Sequence, residues 1–446
     1  MHFRACFPIL LSALLWTASV LAAKPAVDEF VAPLQATAAA RSTPRVSDRA
    51  RAIKDELTGK PALQARTAQA AIAAAVGQRT AGCRMIRFGT DFGWVATGMA
   101  RYPASDNPVA LRRSRQEARF GAFMDARSRL ADCLPDLSPE ARQRVTEKLE
   151  QNDAIRLALI NLAATDAERR EQALKILARG FMAYSVDDDP VKHTVYANLV
   201  VTPKTATRLT RPAPNAIEAV SLREGLRQVL AEIGGGVVPP VGNGLIVVTA
   251  TGELALVGYA VNLIGAHPDP AAQDKLRADA GKIATTRATE ALIGLAAGDD
   301  AAWRNGLDEA TRNDIQAISA AYDDGEPSVR RFEQIRDLAM TAVRDDAGLQ
   351  ALREGRLPST AAIKRFGGEN VIVVAVTYTP PVKKRQPKPA LPAPAVPTSS
   401  PTSGPPASPA TPAASAASAP PPTPAPPTPA PPTTPATVPP PPAEPR

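Results

Sequence analysis

Histidine, aromatic residues and cysteine are scarce in this chain, and each scarcity removes a class of function. The three histidines are His2, His193 and His267. Neither of the last two has a His or Cys neighbour that would complete a zinc-type ligand set. Aromatic residues make up 4% of the chain, too few for the stacking platforms of single-strand binding, so nucleic acid is not an expected partner. No G-x-S-x-G nucleophile elbow occurs. The glycine-rich "GGGVVPPVGNG" lacks the Gly-Lys-Ser/Thr ending of a phosphate loop and reads as a loop needing unusual backbone angles. The run Asp187, Asp188 and Asp189 before Pro190 has no calcium-loop glycine or distal glutamate and reads as a solvated turn. No catalytic residue, metal site or cofactor is therefore assigned.

Long apolar runs are also few. "GLIVVTATGELALVGYAVNLIGA" carries Glu253 near its centre, which would cost about 3 kcal/mol in a bilayer. Its two β-rich stretches around "TATGE" predict a hairpin turning at Gly252, leaving no transmembrane span in the mature chain. The amino terminus is different in kind. Arg4, an apolar run from Phe7 to Leu15 and small residues ending at Ala22 make residues 1–22 a secretory signal peptide. The expected address is periplasm, cell envelope or exterior. Export leaves Cys83 and Cys133 in an oxidising compartment, where two cysteines with none left over predict one disulfide.

Proline is abundant instead, and concentrated. Of 46 prolines, 27 fall between Pro380 and Arg446 among Ala, Ser and Thr. Such a segment removes backbone donors and offers no core, so residues 381–446 are expected to be a disordered, polyproline-biased tail. Charge is uneven too: residues 41–130 hold 17 Lys/Arg against 7 Asp/Glu. That basic region makes anionic envelope polymers an alternative class of partner. Residues 23–80 read as a helical arm, with Pro61 opening "PALQARTAQAAIAAAV".

Two segments repeat one template. "RQEARFGAFMDARSRL" places Ala118, Ala122 and Ala126 four apart and ends on Leu130; "RADAGKIATTRATEAL" does the same with Ala280, Ala284, Ala288 and Leu292. Steps of four drift about 40° around a helix, so each set forms one stripe of small side chains. Methyl groups there let a helix backbone approach a sheet closely, with the strands supplying the bulk. Each helix follows an apolar alternating stretch holding a glycine, Gly98 or Gly258, and each copy closes on a strand ending Thr-Pro, at Pro203 and Pro380. The expected fold is α+β: two tandem units over 81–212 and 213–380, each a small, mainly antiparallel sheet against an Ala-striped helix. Arg112, Arg115, Arg119 and Arg277, near the starts of the two helices, are the candidate interaction residues.

The strand, Arg-led alanine helix and closing strand resemble the small domain at the amino terminus of the flagellar T-ring assembly protein family and small outer-membrane lipoproteins. The connector "GGGVVPPVG" and hairpin are similar to an uncharacterised family of exported bacterial proteins. Gly98, Arg115, Ala118, Ala122, Ala126 and Leu130 carry the first match; Gly258, Arg277, Ala280, Ala284, Ala288 and Leu292 carry the second. Unlike the lipoproteins, the chain has no cysteine placed for lipidation. The resemblance implies assembly or scaffolding in the envelope through a protein partner or self-assembly, without catalytic residues to carry over. A hydrolase with an unrecognised site is the third reading.

Overall fold

Alternation of apolar residues and glycine-bearing turns builds two six-stranded mixed sheets in one computed structural model. It describes residues 49–134, 136–213, 215–298, 327–368 and 370–381. The signal segment, residues 23–48 of the expected arm and the proline-rich tail beyond 381 lie outside the described residues.

Sheet A consists of β1 (Arg51–Lys54), β2 (Pro61–Ala65), β3 (Gly82–Phe88), β4 (Asp91–Arg101), β5 (Met182–Asp189) and β6 (Thr194–Val201), in the order β1-β2-β3-β4-β6-β5. Sheet B consists of β7 (Leu209–Ala213), β8 (Ala216–Ala219), β9 (Val241–Val248), β10 (Glu253–Leu263), β11 (Ala362–Gly367) and β12 (Val371–Tyr378), in the order β11-β12-β10-β9-β8-β7. The two orders match element for element. In each sheet the second and third strands in chain order pair parallel, and every other pairing is antiparallel. A parallel pair needs a crossover. Helix α1 (Ala68–Gly77) makes it in the first half and α7 (Leu222–Gly235) in the second. After the hairpin of each sheet comes its long helix, α2 (Pro108–Cys133) or α8 (Pro270–Ala297). The first half adds α3 (Pro139–Glu150), α4 (Asp153–Leu162), α5 (Asp166–Arg179) and the short α6 (Pro203–Arg208); the second adds α9 (Pro327–Ala342) and α10 (Ala347–Arg353). The class is α+β, with each sheet packed against helices.

The alanine stripes lie where the sequence template puts them. Ala118, Ala122, Ala126 and Leu130 are buried against sheet A, as are Ala280, Ala284, Ala288 and Leu292 against sheet B. Bulk comes from the strands, through Phe92, Trp94 and Leu199 on one side and Leu254, Leu256 and Val374 on the other. Closest approach occurs at the two glycines. A Cβ on Gly98 would stand 2.1 Å from Ala122 O and 2.2 Å from Ala126 N; one on Gly258 would stand 2.1 Å from Ala288 O and 2.5 Å from Leu292 N. Both helices open alike, with Asn107 capping before Pro108 and Asp269 capping before Pro270. Matched on those caps and on the alanines, the contact lies one turn further along α8 than along α2. One helical turn (about 5.4 Å) corresponds to about two strand residues. That is why Gly98 precedes Ala118 by 20 residues while Gly258 precedes Ala280 by 22.

Residues 49–80 do not form a helical arm. Pro61 opens strand β2, a position where its missing N–H is tolerated, and β2 pairs parallel with β3 from Ala62↔Met85 to Ala65↔Phe88. The helix begins only after Thr67, whose side chain accepts from Ala70 N at 3.2 Å. Its alanines then pack with Ile72 on the back of sheet A, against Ile86 and Val95. Strands β1 and β2 therefore belong to sheet A, and β7 takes residues from 209 onward into sheet B. Cys83 in β3 and Cys133, the last residue of α2, stand at disulfide distance, with sulfurs 2.05 Å and Cα atoms 6.2 Å apart. The bond ties the end of α2 to the sheet beneath it.

Candidate functional site at the seam of the two sheets

Helix α2 has a second face, turned from sheet A toward the second half of the chain. Arg112 Nη1 donates to Ile264 O at 2.8 Å, just past β10. One turn on, Gln116 Nε2 donates to Gly236 O at 2.9 Å. Gly236 is the left-handed cap of α7, at φ +69°. Arg115 turns back to its own sheet. Its Nε lies 3.0 Å from Asp188 Oδ2 and its guanidinium sits 5.4 Å above the Tyr102 ring. The Tyr102 hydroxyl donates to Asp188 Oδ1 at 2.9 Å. Burial, with the Asp188 carboxylate beside it, pushes the Tyr102 phenol above its ordinary range.

The aspartate run thus corrects the expectation of a solvated turn. Asp187, Asp188 and Asp189 end strand β5, and Asp187 Oδ2 accepts from Ser185 Oγ at 3.1 Å and Asn198 Nδ2 at 3.3 Å. His193, in the following turn, adopts φ +48° and packs its ring edge-on to Tyr102 at 5.2 Å.

Of the four candidate arginines, Arg112, Arg115 and Arg119 share α2, while Arg277 is exposed on α8. Arg119 is half-buried and its Nε has no hydrogen-bond partner among the described residues. The helices differ for a reason visible in their side chains. Where α2 turns Phe120, Phe123 and Arg127 to the seam, the matched positions of α8 are Lys282, Thr285 and Thr289. Only α2 has an apolar second face.

The strongest electrostatic feature of the seam joins residues absent from the sequence expectations. Arg211 in β7 forms an ion pair with Glu232 in α7, with side chains 7% and 8% exposed. Gln228 Nε2 donates to the same carboxylate at 2.7 Å. The Arg211 guanidinium lies 4.4 Å from the Phe181 ring, and Arg127 from α2 stands 5.5 Å from that ring. Phe181 also meets Phe123 edge-on at 6.2 Å. A buried pair of this kind contributes little over apolar packing but is costly to break, because the orphaned charge stays buried. Both members lie in the second half of the chain; what crosses the seam is the Arg211 guanidinium against Phe181, which Arg127 and Phe123 of the first half also meet. Glu232 carried a readable signal: it lies on the buried face of α7 with Gly225, Val229 and Ile233. Arg211, 21 residues earlier on a five-residue strand, carried none.

Beside this pair is a cavity of about 100 Å³, with Phe120, Met124, Val237 and Tyr259 among its walls and Arg211 and Glu232 at its polar end. Burial raises the Tyr259 phenol pKa, with the Glu232 charge adding to it. The arrangement offers charge neutralisation and water binding. It pairs no nucleophile with a base. Among the described residues no group of three or more His, Cys, Asp or Glu side chains is placed to hold a metal ion, and no helix is long and apolar enough to cross a membrane.

No family model and no curated protein matches the sequence. A search of solved structures finds similarity to a hypothetical protein from Francisella tularensis, known from a 2.3 Å crystal structure. It is 12% identical, with 64% of this chain and 83% of that chain covered and a TM-score of 0.21.

Proposed function

We propose that this chain is a non-enzymatic protein of the bacterial envelope, a rigid two-sheet scaffold that binds a partner protein by strand addition at β11. The observation carrying the proposal is the state of that strand. Among the described residues, β11 is bonded to β12 on one side only and is the outermost strand of sheet B. Five of its six residues are exposed, among them Ile363 at 46%. An unpaired strand edge is a ready template for an extended segment. Lys364 and Arg365 make an acidic segment the best fit, and they also discourage indiscriminate pairing. The resemblance to flagellar T-ring and lipoprotein domains supports assembly as the setting. An expected signal peptide and tail frame the body at either end.

The anionic-polymer alternative is less well supported, because several cations of residues 41–130 are engaged within the chain. Arg87 lies 3.4 Å from Asp55, Arg129 lies 2.8 Å from Asp125, and Arg112 and Arg115 hold the contacts described above. The test places a photo-crosslinking amino acid at Ile363 in the exporting cell, with a second at Val191, 88% exposed in the β5–β6 turn, as control. The proposal expects a discrete protein adduct from position 363 that Lys364→Glu with Arg365→Glu abolishes. Identical adducts from the two positions would refute it.

A further inference from the structure

A larger cavity, about 470 Å³, opens on the other flank of β7, between α5 and the β7–β8 edge of sheet B. Its volume falls in the range of small-molecule sites, roughly 300–1,000 Å³. The floor is apolar and buried, formed by Ala206, Leu209 and Ala219, with Ile155 and Leu162 rising beside it. Helix α5 contributes Gln172, Lys175, Ile176 and Arg179 at helical spacing, so one face supplies both wall and rim. Arg208 and Arg331 complete a cationic rim whose members also hold partners within the chain, Lys175 with Glu171 at 2.7 Å among them; the lining itself sets one carboxylate, Glu218, against it. That carboxylate is already committed: Arg331 Nη2 and Nη1 reach it at 3.0 and 3.2 Å, and the Thr249 hydroxyl donates to it.

The floor holds one polar anomaly. Gln172 is 5% exposed, and its Oε1 has no hydrogen-bond partner among the described residues. A buried acceptor left without a donor is costly, and an occupant bringing a donor removes that cost. We propose that this cavity binds a small amphiphile with an anionic group at the rim, an apolar middle, and a hydroxyl or amide N–H at its inner end that donates to Gln172. The shared chemistry is a capped apolar carboxylate or phosphate. This site is independent of the β11 edge and stands or falls separately.

Calorimetric titration of the full mature chain with three probes tests it: 12-hydroxydodecanoate, dodecanoate and 1,12-dodecanediol. The hydroxy acid is expected to bind one to one, with dodecanoate and the diol each weaker by about tenfold or more, since one lacks the inner donor and the other the anion. Gln172→Leu should erase the preference for the hydroxy acid over dodecanoate while dodecanoate still binds. Val220→Trp, at the exposed mouth, should block both acids without changing the circular dichroism spectrum. Absence of binding by the hydroxy acid, equal affinity for the diol, or an unchanged hydroxyl preference in Gln172→Leu would overturn the proposal.

Discussion

Replacing Gly98 by alanine should cost the protein far more than one methyl group suggests. Its new Cβ would lie 2.1 Å from Ala122 O and 2.8 Å from Ala126 Cα, both backbone atoms of α2. Ordinary contact needs more than 3 Å, so the helix must retreat by about 1 Å, and a gap of that size forfeits a quarter to a half of the dispersion attraction along the stripe. Neither the strand, bonded on both sides, nor the helix, tied at Cys133, moves freely. Overpacking of this kind costs about 1–3 kcal/mol where side chains can adjust. Backbone against backbone should reach about 3 kcal/mol or more. Gly258→Ala should behave alike, with its Cβ 2.1 Å from Ala288 O. Two glycines inside the same helices are matched controls. A Cβ on Gly121 meets Ala100 Cβ at 3.5 Å and one on Gly281 meets Ile372 Cδ1 at 3.7 Å, both ordinary contacts. There alanine gains helix propensity, stabilising by up to about 1 kcal/mol. Urea unfolding of the oxidised protein, followed by circular dichroism, gives all four values. A Gly98→Ala loss no larger than about 0.5 kcal/mol, or the same sign in all four variants, would refute the close-approach argument.

Replacing Cys83 and Cys133 together by alanine should lower stability by about 4 kcal/mol on the loop-entropy model for a 50-residue separation; a urea-midpoint change worth under 1 kcal/mol would contradict it. Arg211→Met should cost about 3–5 kcal/mol by orphaning buried Glu232, and Glu232→Leu added to it should recover most of that loss. Equal stability of the single and double variants would show that the pair is not buried in solution. Burial pushes the Tyr184 phenol up to about 12, from an ordinary value of 10.0. A raised acid of this kind leaves stability intact below pH 10 and removes it as pH climbs toward 12, by up to about 2.7 kcal/mol. In Tyr184→Phe the alkaline fall should be correspondingly shallower, read from urea midpoints across that window.

How much of this was legible depended on whether the information was local. The long helices were readable because the alanine stripe and its leucine lie within one segment, and the hairpin at Gly252 because its turn interrupts two β-rich runs. β1 and β2 were not. Their sequence carries no clear strand alternation, and Pro61–Ala65 becomes a strand through pairing with β1 on one side and with β3, some twenty residues away, on the other. The seam was hidden for the same reason. Arg112 and Arg115 start equivalent-looking helices with Arg277, yet what they meet is decided by Ile264, Asp188 and the second half of the chain. Gln172 gives no sign in sequence that it sits at the bottom of a cavity. "TRNDIQAISAAY", residues 311–322, reads in sequence as a further helix and lies outside the described residues.

That α2, through Arg112 and Gln116, and Arg211 against Phe181 weld two similar sheets into one body is the claim most open to direct test. Native-state hydrogen exchange can follow amides of β4 and β6 in one sheet and β10 and β12 in the other as urea rises. The account predicts that the slowest amides of both sheets open with one free energy and one urea dependence, and that Arg211→Met lowers both together. Sheet B opening several kcal/mol below sheet A, with its own urea slope, would show two bodies that merely touch.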